Sequence, residues 1–165
     1  MIHPCTNAMV KDVATIQPEQ AVEDALRVFK DKDIRNIPVV DDKGIFKGLF
    51  GLTELMINLL PKSATMEDGL DSLNFIGDAA PGIAKRLRKL HATPVAELMN
   101  KEAVVIHPDT STIEALLILA KKGSPVVVVE EETGKFLGVV SRQTLLKNLY
   151  EILEEVERNE QEDAV

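Results

Sequence analysis

The sequence predicts a mixed α/β fold made of two similar β-α-β-β-α units, and two observations predict it. The first is an internal repeat, because residues 9–26 recur as residues 99–116 and residues 48–55 recur as residues 138–145. The second is the hydrophobic pattern within each copy, which alternates between the periods of strands and helices. Two such copies are expected to form a pseudo-twofold pair, each with a small mixed sheet packed against helices, with the functional site between them.

The first copy contains all five elements of the unit. They are a strand over 14–16, a helix over 21–30, two hairpin strands over 37–40 and 45–50, and a helix over about 52–60. Pro18 ends the first strand, and residues 41–44 supply the turn of the hairpin. The first helix has one buried stripe, because Val22, Ala25 and Phe29 recur at helical spacing.

The second copy repeats this order, and its length varies only in the loops. Its elements are a strand over 104–106, a helix over 112–122, hairpin strands over 126–129 and 136–140, and a helix from Arg142. The helix over 112–122 begins at a capping pair, Ser111 and Glu114, and is apolar almost all round. Both sides of such a helix need cover, so we expect an interface there, either with the other copy or with a second chain.

The repeat also divides the chain into segments. We expect one unit over 8–60, a connecting segment over 61–94, a second unit over 95–150, and an acidic helical extension with a tail over 151–165. Within the connecting segment, residues 62–82 predict a loop and residues 83–91 a short helix with one basic face. That face is expected to be solvated, or to meet the acidic extension through exposed ion pairs worth only ~0.2–1 kcal/mol each. Its basic side chains are Lys85, Arg86, Arg88 and Lys89.

The composition argues against several classes of protein. Apolar residues make up 45% of the 165 residues, which suits a buried core rather than a disordered chain. The net charge of −8 argues against a general binder of nucleic acids or anionic membranes, and no apolar run reaches the ~20 residues needed to cross a bilayer. Cys5 is the only cysteine, so no internal disulfide can form and a cytoplasmic location is expected.

No residue pattern indicates catalysis or a metal site. His3, His91 and His107 are far apart in the sequence and lack the spacing of metal ligands. The chain has no glycine-rich phosphate loop and no nucleophile elbow. Cys5 lacks a basic neighbour, so we expect an inert thiol near a flexible terminus. The sequence therefore predicts neither an enzyme nor an obligatory cofactor.

Three features together resemble tandem cystathionine β-synthase (CBS) domains, a pair usually called a Bateman module. They are the repeated β-α-β-β-α order, the Pro-Val-Val strand starts at Pro38 and Pro125, and the Gly-x-x-small-x-x-polar-Leu endings that start at Gly48 and Gly138. The resemblance covers most of the chain. It implies a homodimer formed through helices, and clefts between the copies that bind AMP, ADP, ATP or S-adenosylmethionine as a regulatory ligand.

The resemblance also implies a Gly-x-x-Thr/Ser-x-x-Asp pattern at each cleft, with the hydroxyl near phosphate or ribose and the carboxylate on the ribose hydroxyls. A helix start suits an anion, and one carboxylate can accept hydrogen bonds from both hydroxyls. The first copy instead has Gly51 and Glu54 at these two positions, and the second has Ser141 and Thr144. Because Glu54 keeps the carboxylate, the first cleft is the better candidate for an adenosine ligand.

The residues implied to bind a ligand surround both clefts. In the first copy they are Thr15, Arg35, Ile37, Pro38, Gly51 and Glu54, and in the second they are Ile106, Ser124, Pro125, Ser141, Arg142 and Thr144. Asn36 and Gly123, which stand before the Pro-Val pairs, would help to frame the base. The alternative is purely structural, since Gly51 and Ser141 are accepted N-caps and could simply begin helices.

These observations lead to two functional hypotheses. The first is a regulatory module, in which a ligand that prefers one arrangement of the copies shifts the population towards it and so acts on an unidentified protein in trans. The alternative is a protein-interaction or dimerisation module with degenerate clefts that bind nothing. Binding of nucleic acid through the helix over 83–91 ranks third, because the chain is acidic, lacks Trp and has a single Tyr.

Overall fold

The computed structural model describes residues 3–60 and 80–164. Most of the loop expected over 62–82 therefore lies outside the described residues. The chain divides into two compact units, and each contains one copy of the repeat. The first-repeat unit is formed by residues 14–102, and the second-repeat unit is formed by residues 1–13 and 103–165.

The first-repeat unit contains a two-stranded antiparallel sheet surrounded by helices. Its elements are α1 (Val22–Lys32), β1 (Asn36–Val40), β2 (Phe46–Gly51), α2 (Leu52–Leu59), α3 (Ala80–Leu90) and α4 (Val95–Leu98). The hairpin turn is held by Asp41, whose Oδ1 accepts hydrogen bonds from the N–H groups of Lys43 and Ile45, both at 2.9 Å. Gly44 supplies the positive φ of 83° that this turn requires.

The predicted strand over 14–16 is reduced to a single residue. Ile16 forms an isolated parallel bridge with Val39 and makes two backbone hydrogen bonds, from its N–H to the Pro38 carbonyl at 3.1 Å and from the Val40 N–H at 2.9 Å. Pro18 has no N–H with which to continue the pairing. The prediction of a full strand was therefore wrong in extent, although the chain does pair with β1 at this point.

The core of the first-repeat unit lies between the sheet and its helices. The rings of Phe29 and Phe50 stack there with their centroids 5.8 Å apart. The buried members of the core are Ile16, Val22, Ala25, Phe29, Ile37, Val39, Phe50, Leu55 and Val95. Val95 belongs to α4, a short helix that the sequence analysis did not predict.

The second-repeat unit contains a three-stranded mixed sheet. Its elements are a 3-10 helix (Cys5–Ala8), β3 (Val105–Ile106), α5 (Thr112–Lys121), β4 (Val126–Val129), β5 (Phe136–Val140) and α6 (Arg142–Asp163). The strand order is β3-β4-β5, in which β3 and β4 are parallel and β4 and β5 are antiparallel. The two units thus confirm the predicted mixed α/β class with small sheets packed against helices.

The first residues of each repeat pack in the unit of the other repeat. Val10 pairs with Val139 of β5 through N–H to carbonyl bonds of 2.8 and 3.0 Å, within the second-repeat unit. Asn100 pairs with Leu49 of β2 in the same way, at 2.8 and 3.0 Å, within the first-repeat unit. The two repeats therefore depend on each other's leading segments to complete their sheets.

Cys5 lies in the core of the second-repeat unit, where the sequence analysis had expected a thiol outside the core. Its side chain is 0% exposed, and its thiol donates to the carbonyl of His107 at 3.6 Å. Burial is the main cause that raises the pKa of the Cys5 thiol above its ordinary value. A thiol in this setting is held in its unreactive, protonated form.

Candidate functional site

The candidate site of the first copy is formed where β2 ends and α2 begins. Gly51 is the last residue of β2 and also the N-cap of α2. The carbonyl of Arg35 accepts a hydrogen bond from the N–H of Leu52 at 3.1 Å, which ties the loop before β1 to the start of α2. Asn36 lies directly opposite Gly51 in the β1–β2 register, so its side chain is brought to the same place.

Gly51 is required by space. Its φ of −141° is ordinary extended backbone that any residue adopts. A Cβ at this position, however, would collide with Oδ1 of Asn36, and would also lie 2.9 Å from the carbonyl oxygen of Arg35 and 3.0 Å from Oε2 of Glu54. A side chain at position 51, such as the Ser or Thr that the resemblance expects, therefore requires the Asn36 carboxamide to move.

Glu54 places a buried carboxylate oxygen at this site without a partner. Oε2 of Glu54 is buried and makes no hydrogen bond with any residue that the structure describes. The N-cap residue of α2, Gly51, has no side chain with which to cap the helix. A buried acceptor without a donor costs about 1–3 kcal/mol, so this oxygen is poised to accept a hydrogen bond from a bound molecule.

The other residues predicted for this site lie around Asn36 and Gly51. Ile37 and Pro38 follow Asn36 in β1 and are buried, so they offer backbone groups more than side chains. Thr15 is exposed and precedes Ile16, whose N–H is bonded to Pro38. The Arg35 side chain is exposed as well. The first-repeat unit thus brings the Arg35 carbonyl and the side chains of Asn36 and Glu54 to Gly51, where β1 starts and β2 ends. Thr15 lies elsewhere, next to the pairing of Ile16 with Val39 further along β1.

The corresponding position in the second copy is a helix cap. Oγ of Ser141 accepts a hydrogen bond from the N–H of Thr144 at 3.1 Å, and Oγ1 of Thr144 accepts one from the N–H of Ser141 at 3.0 Å. The hydroxyl of Ser141 also donates to Oγ1 of Thr144 at 3.3 Å. Both hydroxyl groups are therefore engaged in starting α6, which is the role that the structural alternative described.

Arg142 is bound to its own unit as well. Its Nε donates to the carbonyl of Leu119 at 2.9 Å, at the end of α5, and its backbone N–H donates to Oγ of Ser124 at 3.3 Å. Ile106 is buried in β3, and Pro125 is partly buried just before β4. The polar side chains predicted for this site, those of Ser124, Ser141, Arg142 and Thr144, thus have partners within the unit, whereas Oε2 of Glu54 has none. Oδ1 of Asn148, further along α6, is also buried without a partner among the described residues.

The sequence analysis missed the close approach of Asn36 to Gly51. It placed Asn36 only near the base of an implied ligand. The available signal was the predicted hairpin, in which a residue two positions before Pro38 stands opposite the end of the second strand. A glycine at that end leaves the space that the longer side chain fills.

None of the helices within residues 3–60 and 80–164 is both long enough and apolar enough to cross a membrane. In the same ranges, no group of three or more His, Cys, Asp or Glu side chains is placed to hold a metal ion.

Comparisons with known proteins identify the family of the repeats. The family model described as "CBS domain" matches residues 5–61 and 95–151. A CBS domain-containing protein of Dictyostelium discoideum is 26% identical over 148 residues, which cover 90% of this chain and 92% of that protein. CBSX2 of Arabidopsis thaliana is 20% identical over 151 residues, which cover 90% of this chain and 63% of that protein.

Solved structures show the same fold. The structure of CBSX2 has a TM-score of 0.69 at 21% identity and covers 93% of this chain and 99% of that one. A structure of CBSX2 in complex with AMP has a TM-score of 0.60 at 22% identity, covering 92% of this chain and 93% of that one. MJ1225 of Methanocaldococcus jannaschii, proposed as an archaeal homologue of γ-AMPK, has a TM-score of 0.69 at 16% identity, covering 89% of this chain and 48% of that one.

The share of each relative that the chain spans varies widely. It spans 36% of the length of MJ1232 of Methanocaldococcus jannaschii, compared with 92% and 63% for the Dictyostelium and Arabidopsis proteins. Together the two matched segments contain more than half of the chain, and each contains one copy of the repeat that the sequence displays. The chain therefore belongs to the CBS domain family and carries the domain in two tandem copies, as a Bateman module.

Proposed function

We propose that this CBS pair is a regulatory module that binds an adenosine-containing ligand through the first-copy site. The observation that carries the proposal is the buried, unpartnered Oε2 of Glu54 at the start of α2. A ligand that donates a hydrogen bond to this oxygen would remove the cost of leaving it unsatisfied. The site thus favours a ligand with hydroxyl donors, and ribose presents two on adjacent carbons.

Two further observations support an adenosine ligand. The chain has the fold of CBSX2, whose structure was solved in complex with AMP, and that of MJ1225, which was proposed as a homologue of γ-AMPK. The exposed guanidinium of Arg35 stands next to Asn36 in the sequence and is available to a phosphate group. AMP, ADP, ATP and S-adenosylmethionine all carry the ribose that Glu54 would hold, so they form the set of ligands to test.

The second copy contributes less to this proposal. Ser141 and Thr144 already cap α6, and Arg142 already donates to Leu119. A ligand at this position would have to break hydrogen bonds that the unit makes by itself. We therefore assign one adenosine site to each chain, at Glu54.

The experiment is a measurement of the melting temperature Tm with and without each of the four ligands. A ligand at 100 times its Kd adds ~2.7 kcal/mol to the free energy of unfolding, which raises Tm by roughly 5–10 °C in a chain of this size. Glu54→Ala should abolish the shift. The matched control is Glu114→Ala, which removes another acid from the first turn of a helix, in α5. If none of the ligands raises Tm, or if a ligand raises the Tm of Glu54→Ala as much as that of wild type, the proposal is wrong.

Dimerisation is the second candidate function, and the exposed faces of α5 and α6 favour it. Large apolar side chains there are well exposed, including Ile113 at 76%, Leu117 at 54% and Tyr150 at 61%. A groove of about 280 Å³ lies between the two helices. Its lining residues are Leu116, Leu119, Ala120, Arg142, Leu145, Leu146 and Leu149. A continuous apolar face of this kind is typical of a protein–protein interface.

Light scattering after size-exclusion chromatography tests this candidate. The wild-type chain should have the mass of a dimer, and Leu117→Glu should have the mass of a monomer because a charge would be buried in the interface. Thr133→Glu adds the same charge to the exposed β4–β5 loop and should leave the dimer intact. A monomeric wild-type chain, or a dimer that survives Leu117→Glu, would rule out this face.

A further inference from the structure

At two pairs of corresponding positions, the copies have a glycine and a residue with a side chain in opposite order. Counted back from the Pro-Val pairs at Pro38 and Pro125, Asn36 corresponds to Gly123. At the start of the last helix of each copy, Gly51 corresponds to Ser141. The first copy therefore has a side chain before the strand and glycine at the helix start, and the second copy has the reverse.

The structure gives a physical reason for this exchange in the first copy. The Asn36 carboxamide lies where a Cβ at position 51 would be, so the two positions cannot both carry side chains without rearrangement. In the second copy, nothing lies within 4 Å of a Cβ added at Gly123, and the φ of 127° at this position is what favours glycine there. There the polar group at the helix start is instead the hydroxyl of Ser141. The first copy thus places the Asn36 carboxamide at this point, and the second places hydroxyl groups there, those of Ser124, Ser141 and Thr144.

We propose that Asn36 is a specificity-determining residue of the ligand site, which supplies the neutral hydrogen-bonding group that position 51 cannot supply. This inference rests on the proposed function of the Glu54 site. A carboxamide resembles a hydroxyl in both donating and accepting hydrogen bonds, whereas an ionised carboxylate only accepts. No hydrogen bond to another described residue engages the Asn36 side chain, so its amide is free to contact a ligand.

The pair of side chains defines the chemistry of the ligand. Oε2 of Glu54 and Oδ1 of Asn36 both lie within 3.0 Å of the point where a Cβ of residue 51 would stand, so one small group on the ligand can reach both. Glu54 requires a donor, such as a ribose hydroxyl, and the Asn36 amide can donate to an oxygen on the same sugar. The ligand class is a nucleoside or nucleotide with a free 2′,3′-diol, and a 2′-deoxynucleotide should bind more weakly.

Calorimetric titration with AMP tests the role of Asn36. Asn36→Ala should weaken binding roughly three- to tenfold, the effect of losing one neutral hydrogen bond. Asn36→Asp has the same shape but should weaken binding further, because a second carboxylate beside Glu54 only accepts hydrogen bonds and repels the first. The double variant Asn36→Gly/Gly51→Ser gives the first copy the arrangement of the second. It should recover binding to within about threefold of wild type, since it restores one neutral group.

The outcomes separate this inference from the proposed function. If wild type binds AMP, Glu54→Ala does not, and Asn36→Ala binds within twofold of wild type, then the role of Asn36 is wrong while the Glu54 site stands. If wild type binds none of the four adenosine ligands, both are wrong. The Tm of each variant is measured alongside to detect misfolding. Gly51→Ala alone should lower Tm, and it should lower Tm less when Asn36→Ala is also present, because the two changes are coupled through one contact.

Discussion

Gly138→Ala is predicted to destabilise the second-repeat unit through a collision that the structure defines. A Cβ at Gly138 would lie 2.6 Å from Cγ of Met9 and 2.6 Å from the carbonyl oxygen of Val10. Both distances are about 0.8 Å short of the 3.4 Å at which ordinary contact begins. The Met9 side chain can rotate away. The Val10 carbonyl is held by Val139, whose N–H donates to it at 3.0 Å, so relieving the collision disturbs the pairing with β5.

The expected cost is about 1–3 kcal/mol, the usual range for an overpacked core, which lowers Tm by roughly 3–10 °C. Thermal unfolding followed by circular dichroism measures this shift. The matched control is Gly82→Ala, the same chemical change within α3, where an added Cβ meets nothing within 4 Å. Alanine at that position should raise stability by up to about 1 kcal/mol, because it favours the helix. A Gly138→Ala variant as stable as wild type would refute the docking of Met9 and Val10 on β5.

Two further predictions concern titratable side chains. Cys5 should remain unmodified by a thiol reagent at pH 8 in the native protein and should react at once in denaturant, because burial raises the pKa of its thiol. Rapid reaction of the native protein would contradict its place in the core. The Asp41 carboxyl has a lowered pKa, chiefly because it accepts a hydrogen bond from the Ile45 N–H. Its contribution to stability is therefore present above its ordinary pKa and is lost as the pH falls through its folded-state pKa. Asp41→Asn should therefore have a lower Tm than wild type at pH 7, and the difference should disappear in strong acid; a difference independent of pH would assign the effect to shape alone.

The fold could be predicted from the sequence because it depends on hydrophobic and turn patterns that the sequence displays directly. Helical periodicity predicted the place of α1, and the Pro-Val-Val segments predicted β1 and β4. The length of the strand before α1 was overestimated, because strand pairing depends on a partner segment that the hydrophobic pattern of the strand itself does not identify. The packing of Met9 and Met99 was not predicted for the same reason, since each lies against a glycine far away in the chain.

The site was less predictable, because it depends on which polar atoms find partners. The residue types favoured the first cleft, because Glu54 keeps a carboxylate, but they left both Gly51–Glu54 and Ser141–Thr144 open as plain helix caps. The structure separates them, since the hydroxyls of Ser141 and Thr144 bond to each other's backbone, while Oε2 of Glu54 has no hydrogen-bond partner among the described residues. The spacing of residues in the sequence does not predict this difference, because it depends on where each side chain points after the strands have paired.

The most direct test of the account is a crystal structure of this chain with AMP. The account predicts that the ribose hydroxyls lie within hydrogen-bonding distance of Glu54, about 2.5–3.0 Å from its carboxylate, beside Asn36 at the start of α2. AMP bound with its ribose at Ser141 and Thr144 instead, or bound in the first copy without contact to Glu54, would contradict it.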